Sequence, residues 1–419
     1  MAAVAGLRGT GDWGADERPK DFREYILWRN PNGGTPITGL MAKVGKEKTT
    51  DPEFSWWDEP VDILRLQSSA AHSSGDTLIN VDSVDPTDSA PGVSWGLATH
   101  LVPGDILMVE PATSAAETQS FVYEYIQVQQ VISPTQFVAQ RGVMGSTAGN
   151  IINDAWLLKI GSRYEEGTAE PKSASRNPIK FTNLCQIFKT GYEVTNTAVK
   201  TKARTGDVLK NERKRKAFDH ARDLEFSLLF GRKNETTGLQ GKPVRSFDGI
   251  RRFIPTQNTT IFASKVTFTG ATNNFLEAVY KVFDFDTEAG DERIAICGNL
   301  ALNELNKIVA AESGVAINMD EVITLYGMNL RKVVLPQGTL FVRTHPLLNR
   351  HPLFSRSMWL LDFSALRWRY MEGRDTNFQD NIQAKGEDVV RGQWLTEAGL
   401  EVRYGGLTLG YLGNISATG

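Results

Sequence analysis

The sequence predicts an α+β fold in which a small antiparallel β domain is inserted ahead of one long helix. Three observations predict it. Between Asp207 and Phe230 runs DVLKNERKRKAFDHARDLEFSLLF, the one long uninterrupted helical pattern in the chain. From about Ser73 to Ile160, short apolar runs are separated by Asp, Pro, Gly and Ser turns, the texture of a β-module. After about residue 272, helical and strand-like stretches mix.

Composition sets the outer limits. At 419 residues the chain holds two or three compact units, since single cores stop growing near about 250–300 residues. Its 41% hydrophobic and 23% charged residues are ordinary for a soluble globular protein, and a net charge of −3 supplies no global basic field to draw in nucleic acid. Cys185 and Cys297 lie far apart, which excludes C-x-x-C redox and cysteine-rich zinc motifs and implies a reducing compartment. No signal-peptide core opens the chain and no apolar run approaches the roughly 20 residues that span a bilayer. A soluble protein made in a cytoplasm, with no membrane contact, is expected.

Residues 1–40 are rich in Gly, Pro and charge, with aromatic outposts at Trp13, Phe22, Tyr25 and Trp28. They read as an extended arm that docks by its aromatics, or as a partly disordered terminus. FSWWDEP (54–60) and VDILRL (61–66) are strand-like. The β-module follows, with TLINV (77–81), DILMVE (105–110), FVYEYIQVQQV (121–131), FVAQR (137–141) and WLLKI (156–160) as its strands. Pro103-Gly104-Asp105 and Ser133-Pro134 mark turns, and the spacing suits a small barrel or sandwich. Because FTNLCQIFKTGYEVTNTAV (181–199) is again β-like, the module sits inside a long two-strand excursion.

In the long helix, Asp207 is placed to cap the first turn. Phe218, Ala221, Leu224 or Glu225, and Leu228 recur at spacings of three and four, and Gly231 is expected to stop the helix by its tolerance of the left-handed conformation. Lys210, Arg213, Lys214, Arg215 and Lys216 crowd into two turns. That half faces water, acidic groups or phosphate, and a plain solvated face is the simplest reading. Residues 232–249 read as a polar, glycine-bearing loop without periodicity. Beyond it NNFLEAVYKVF (273–283) and ALNELNKIVAAE (301–312) are helical, RIAICG (293–298) is a buried strand, and further strands fall between Val322 and Phe363. The last segment, 395–415, puts Leu400, Val402 and Tyr404 on one face, as a half-buried strand does.

A search for chemistry finds no catalytic residue, metal site or cofactor motif. GLQGKP (238–243) has the wrong spacing for a phosphate loop and no Ser or Thr after its lysine. Neither G-x-S-x-G nor H-E-x-x-H occurs. His345 and His351, each followed by proline, read as ordinary loop histidines. Asp284 with Asp286, and Asp380 with Glu387, lie in polar turns where solvation explains them. What remains is an arm, an excursion, a long helix and a β-module, an inventory that suits a protein whose surfaces are its function.

The order of elements resembles the major capsid protein of tailed bacteriophages, with the Hong Kong 97-type fold, and within it a podovirus-like subfamily carrying a β-rich insertion in the E-loop. The resemblance rests on FSWWDEP before the insertion, NLCQIF (183–188) and YEVTNTA (192–198) after it, DLEFSLLFG (223–231) closing the helix, and NIQAKGEDVVRGQWLTEAGLE (381–401) near the end. It implies an N-terminal arm at 1–40 and an E-loop region at 41–199 with the insertion domain at about 73–160. A peripheral domain at 200–271 then holds the spine helix 207–230 and the loop 232–249. The axial domain spans 272–346, and C-terminal strands 347–419 complete the peripheral domain.

The implied function is self-assembly as hexamers and pentamers into an icosahedral shell that encloses double-stranded DNA without sequence-specific binding. The implied partners are further copies of the chain, a portal, and scaffolding or decoration proteins; the implied location is the virion, assembled in the host bacterial cytoplasm. The basic cluster would pair with acids of a neighbouring E-loop or face packaged DNA, the net charge favouring the first. The β-module would project from the outer surface or reinforce contacts between capsomers. Two alternatives remain, a neck or tail protein and an intracellular hydrolase with an appended β-module. The spine helix counts against the first and the missing nucleophile against the second.

Overall fold

The computed structural model describes residues 37, 39, 45–59, 65–83, 97–110, 123–171, 178–203, 206–267, 273–285, 287–311, 322–325 and 328–416. Apart from positions 37 and 39, the expected arm lies outside these residues.

The β-module is a closed barrel. Its six strands follow one another in space as Arg65–Gln67, Trp156–Ser162, Asp105–Val109, Glu124–Ser133, Gln136–Gln140 and Leu78–Asn80, each antiparallel to its neighbour. The two end strands meet through a bridge between Ser68 and Val81. Ser69 N–H donates to the Asn80 carbonyl at 3.1 Å and Asp82 N–H to the Gln67 carbonyl at 2.9 Å. Closure leaves no long free edge to pair with another chain. Alternating residues fill the interior, with Leu66, Ile79, Leu107, Ile126, Phe137 and Leu157 all buried in one cluster. Arg141 grips Glu124 with two bonds of 2.6 and 2.7 Å. The same carboxylate accepts from Gly142 and Gly149 N–H, so this buried charge is paired and hydrogen-bonded as burial requires.

Strands Glu53–Asp58 and Ile179–Leu184 flank the barrel in sequence and pair antiparallel with each other, from Glu53 opposite Leu184 to Asp58 opposite Ile179. Among the described residues this ribbon has no third strand. Trp56 turns inward and stacks between Phe54 and Phe181 at 6.1 and 5.8 Å, whereas Trp57 remains 62% exposed.

The second sheet orders Lys46–Thr49, Leu366–Met371, Val389–Val402 and Gln186–Thr195, with Asn377–Asp380 also pairing to Val389–Val402. The segment 395–415 was expected to be a half-buried strand, and its first part belongs to strand Val389–Val402. From Leu395 onward it is buried on both faces. The face of Ala398, Leu400 and Val402 joins the cluster that holds Leu224 and Leu228 of the long helix. The opposite face is closed by the ribbon, for a Cβ on Gly399 would lie 2.4 Å from the Leu184 carbonyl and 2.7 Å from the Phe54 ring. Glu397 and Glu401 are buried on that face because Arg374, at 2.8 Å, and Arg403, at 2.9 Å, neutralise them. Tyr404 is not part of the strand; it takes φ +58 in a turn after Val402.

The third sheet has seven strands in the order Thr259–Ile261, Gly410–Gly413, Met358–Leu361, Glu292–Cys297, Gly338–Thr344, Met328–Leu335 and Val322–Leu325. Strand Glu292–Cys297 runs parallel to Gly338–Thr344 and antiparallel to Met358–Leu361. Its alternating residues feed two cores. Ile294 and Ile296 enter the core shared with the long helix, while Ala295 and Cys297 pack with Ala301, Leu305 and Ile308 of helix Asn299–Ala311.

The segment 232–249, expected as a loop, contains a hairpin of Asn234–Thr237 paired with Pro243–Ser246. Its strands are four residues each and mostly exposed. No buried face exists to impose the alternation by which strands are read from sequence.

Candidate functional site

The long helix spans Val208–Phe230, 23 residues and so about 35 Å at 1.5 Å per residue. Asp207 caps it, its carboxylate accepting from Lys210 N–H at 3.1 Å. The buried stripe is His220, Leu224, Glu225, Leu228 and Leu229. Phe218 and Ala221, expected in that stripe, are half-buried at its margin, and His220 lies inside it. Gly231 ends the helix at φ −51, ψ 151, which is not left-handed. Glycine is required there by crowding, since a Cβ would stand 2.6 Å from the carbonyls of Ser227 and Phe247.

Three polar anchors fasten the helix to the sheets. At the first, Arg213 Nε donates to Tyr192 Oη at 2.9 Å, and its guanidinium pairs with Asp380 and lies 5.0 Å from the Phe378 ring. Tyr192 Oη donates to Asp380 at 2.9 Å and its ring stacks on Phe378 at 6.1 Å. Burial acts to raise the Asp380 pKa, but hydrogen bonds from Tyr192, Asn381 N–H and Arg213 outweigh it and hold the carboxylate below its ordinary value. The bond to Tyr192 raises that of Arg213. This corner is therefore a locked ion pair with an aromatic wall.

At the second anchor, His220 lies between Thr190 Oγ1, 3.1 Å from Nδ1, and Thr396 Oγ1, 2.8 Å from Nε2. Burial pushes the His220 pKa below its usual value, so the ring is neutral, with one nitrogen donating and the other accepting. Thr396 continues to Thr376 at 3.0 Å, joining helix and two strands in one chain of hydroxyls.

The third anchor is fully buried. Glu225 Oε1 accepts from His345 Nε2 at 2.9 Å and from Ile37 N–H at 2.8 Å. His345 Nδ1 in turn accepts from Leu347 N–H at 3.2 Å, which fixes the neutral tautomer with its proton on Nε2. Residue 37, the helix and the segment after strand Gly338–Thr344 thus meet at one carboxylate. His345 is consequently not an ordinary loop histidine, nor is Asp380 merely a solvated turn residue.

The five basic residues do not share one surface. Arg213 belongs to the first anchor. Arg215 pairs with Glu212 at 2.6 Å and Lys216 approaches Asp219 at 3.7 Å, both one turn along the same helix. Lys210 and Lys214 are exposed. Sequence reasoning gave Tyr192 and His220 no role and set Asp380 and His345 aside as turn and loop residues, and the one available signal of these anchors was Glu225, a carboxylate inside an apolar stripe.

Among the described residues no group of three or more His, Cys, Asp or Glu could hold a metal, and no helix is long and apolar enough to cross a membrane. Cys185 and Cys297 are buried free thiols, each pushed up to about 12 chiefly by burial.

Comparison with known proteins fits this surface-centred arrangement. The family model of the SU10 major capsid protein matches residues 8–414. The chain belongs to the SU10 major capsid protein family. The resemblance to tailed-phage major capsid proteins drawn from the sequence is borne out by this match. As a member of this family the chain is a major capsid protein of a tailed phage and a component of the virion capsid. It is 23% identical over 396 residues to the major capsid protein of Pseudomonas phage PaMx41, covering 93% of this chain and 87% of the relative. Among solved structures it is similar to a capsid of a native GTA particle, with 9% identity and a TM-score of 0.45 over 98% of this chain and 100% of the other. It is also similar to a structure of Mycobacterium phage Bobi, with 8% identity and a TM-score of 0.45 over 95% and 96% of the two chains.

Proposed function

We propose that this SU10-family subunit assembles as hexamers and pentamers into an icosahedral shell around double-stranded DNA, with the long helix as its spine. In this reading residues 1–40 are the arm, 41–199 the E-loop region, 200–271 and 347–419 the peripheral domain, and 272–346 the axial domain. The barrel is an insertion that projects from the outer surface. A portal and scaffolding or decoration proteins are its further partners, the host bacterial cytoplasm is the place of assembly, and the role is structural rather than enzymatic.

The observation that carries this reading is the ribbon of Glu53–Asp58 and Ile179–Leu184, which has no third strand among the described residues and carries the exposed Trp57. Open strand edges invite pairing or cover by another chain, and a shell of identical copies supplies that cover everywhere. Many modest contacts then give a durable assembly through multivalency. Electron microscopy of the purified protein tests the proposal. Rings, shells or tubes are expected, and a dispersed monomer under all conditions would refute it.

For the basic cluster, pairing with acids of a neighbouring subunit is favoured over DNA. A net charge of −3 argues against a surface designed to coat DNA, and the pairs that Arg213, Arg215 and Lys216 make within the chain show that carboxylates suit this half of the helix. Replacing Arg213, Arg215 and Lys216 with alanine is expected to disturb assembly of capsomers. Normal shells that package less DNA would assign the cluster to the genome instead.

A further inference from the structure

The hairpin after the long helix carries the most exposed large apolar side chain of the described residues, Leu239, which is fully exposed at its tip. The tip is not slack. Gly238 N–H donates to the Lys242 carbonyl at 2.7 Å and Gly241 N–H to the Gly238 carbonyl at 2.9 Å. Strands Asn234–Thr237 and Pro243–Ser246 pair with no other strand among the described residues. An apolar side chain held out on a hydrogen-bonded turn loses less conformational entropy on docking than one on a slack loop. Lys242, exposed, stands beside it.

Elsewhere a cleft of about 350 Å³ opens between the second and third sheets. Its lining joins the buried Ile294, Phe341 and Phe363 to the charged Glu288, Glu292 and Arg367. Arg367 is taken up by Glu288 at 3.4 Å, and among the described residues Glu292 pairs with no cation, which leaves the lining net negative. The hairpin offers one apolar knob and one cation; the cleft offers apolar side chains and an anion that pairs with no cation among the described residues. Within a single chain the two do not meet, since Leu239 is fully exposed.

We propose that the tip 238–242 of one subunit docks in this cleft on a second copy of the chain, with Leu239 against the apolar side chains and Lys242 facing Glu292. Each copy gives one tip and receives one. Such a heterologous contact closes into rings when the rotation permits, and a knob of this size adds specificity and register more than affinity. The contact rests on the shell reading above.

Cross-linking and charge exchange in the full-length protein test it. The native thiols are buried and held up to about 12, so they stay unreactive at neutral pH. The double variant Leu239→Cys with Ala289→Cys is expected to give, on mild oxidation, a reducible ladder of covalent oligomers that Ala289→Cys alone does not give. Lys242→Glu is expected to lower the assembled fraction about tenfold, and Glu292→Lys in the same chain to restore it. Absence of the ladder, with Lys242→Glu assembling like the parent, would overturn the contact and leave the shell reading standing. A parent chain that never assembles would overturn both.

Discussion

The barrel and the long-helix platform both have apolar cores, and they differ in the polar contacts that supplement them. In the barrel, Asp105–Val109, Glu124–Ser133 and Gln136–Gln140 pair in succession while Arg65–Gln67 and Leu78–Asn80 pair with strands farther along the chain, and the interior is one apolar cluster supplemented by the buried Arg141–Glu124 pair. On the platform the helix is fixed by polar groups distant in sequence, with separations of 120 residues for Glu225 and His345, 167 for Arg213 and Asp380, and 176 for His220 and Thr396. Apolar packing is non-directional and yields one closed unit. Polar anchors are directional and discrete, and can be exchanged one at a time.

Four substitutions break or sharpen this contrast. Phe137→Ala, which removes a fully buried ring from the barrel, is expected to cost about 3–5 kcal/mol; denaturant unfolding followed by hydrogen exchange should locate the loss in the barrel alone. Glu225→Ala leaves His345 Nε2–H and Ile37 N–H without their acceptor, at roughly 1–3 kcal/mol for each buried donor. Protection should then fall around residue 37 and the long helix while barrel amides keep theirs. Arg213→Ala removes a pair that is about one-third exposed, and no more than about 1 kcal/mol is expected in the same assay.

The smallest effect is one of pH. Burial depresses the folded pKa of His220, so the unfolded chain binds more protons than the native one below the ordinary histidine value of about 6.5. Stability is therefore retained above that pH and declines as pH falls below it toward the depressed folded value. His220→Gln should flatten the slope over that window; an unchanged slope would mean that the ring does not titrate on unfolding.

How much of this was legible in the sequence follows from the same contrast. The long helix was legible because its signals are local, an Asp cap and a continuous pattern ended by glycine, and five of the six barrel strands because turn residues bracket them; Arg65–Gln67 read as part of the segment ahead of the module. Pairings between Arg213 and Asp380, or Glu225 and His345, leave no local trace, and Asp380 reads as one more solvated acid. The hairpin at 234–246 was missed because strands that bury nothing show no alternation. The segment from Leu395 to Val402 was misread as half-buried because Glu397 and Glu401 look like a solvent face until arginines from neighbouring segments are placed beside them.

The proposed function assigns assembly to the platform and its ribbon, with the barrel as a separable addition. Asp58 and Ile179 are already cross-strand partners, so a two-residue Asn-Gly turn can join them in place of residues 59–178. Electron microscopy of that shortened chain beside the full-length protein tests the assignment most directly. Rings or shells from both chains are predicted, and a folded but monomeric shortened chain, under conditions in which the full-length protein assembles, would contradict it.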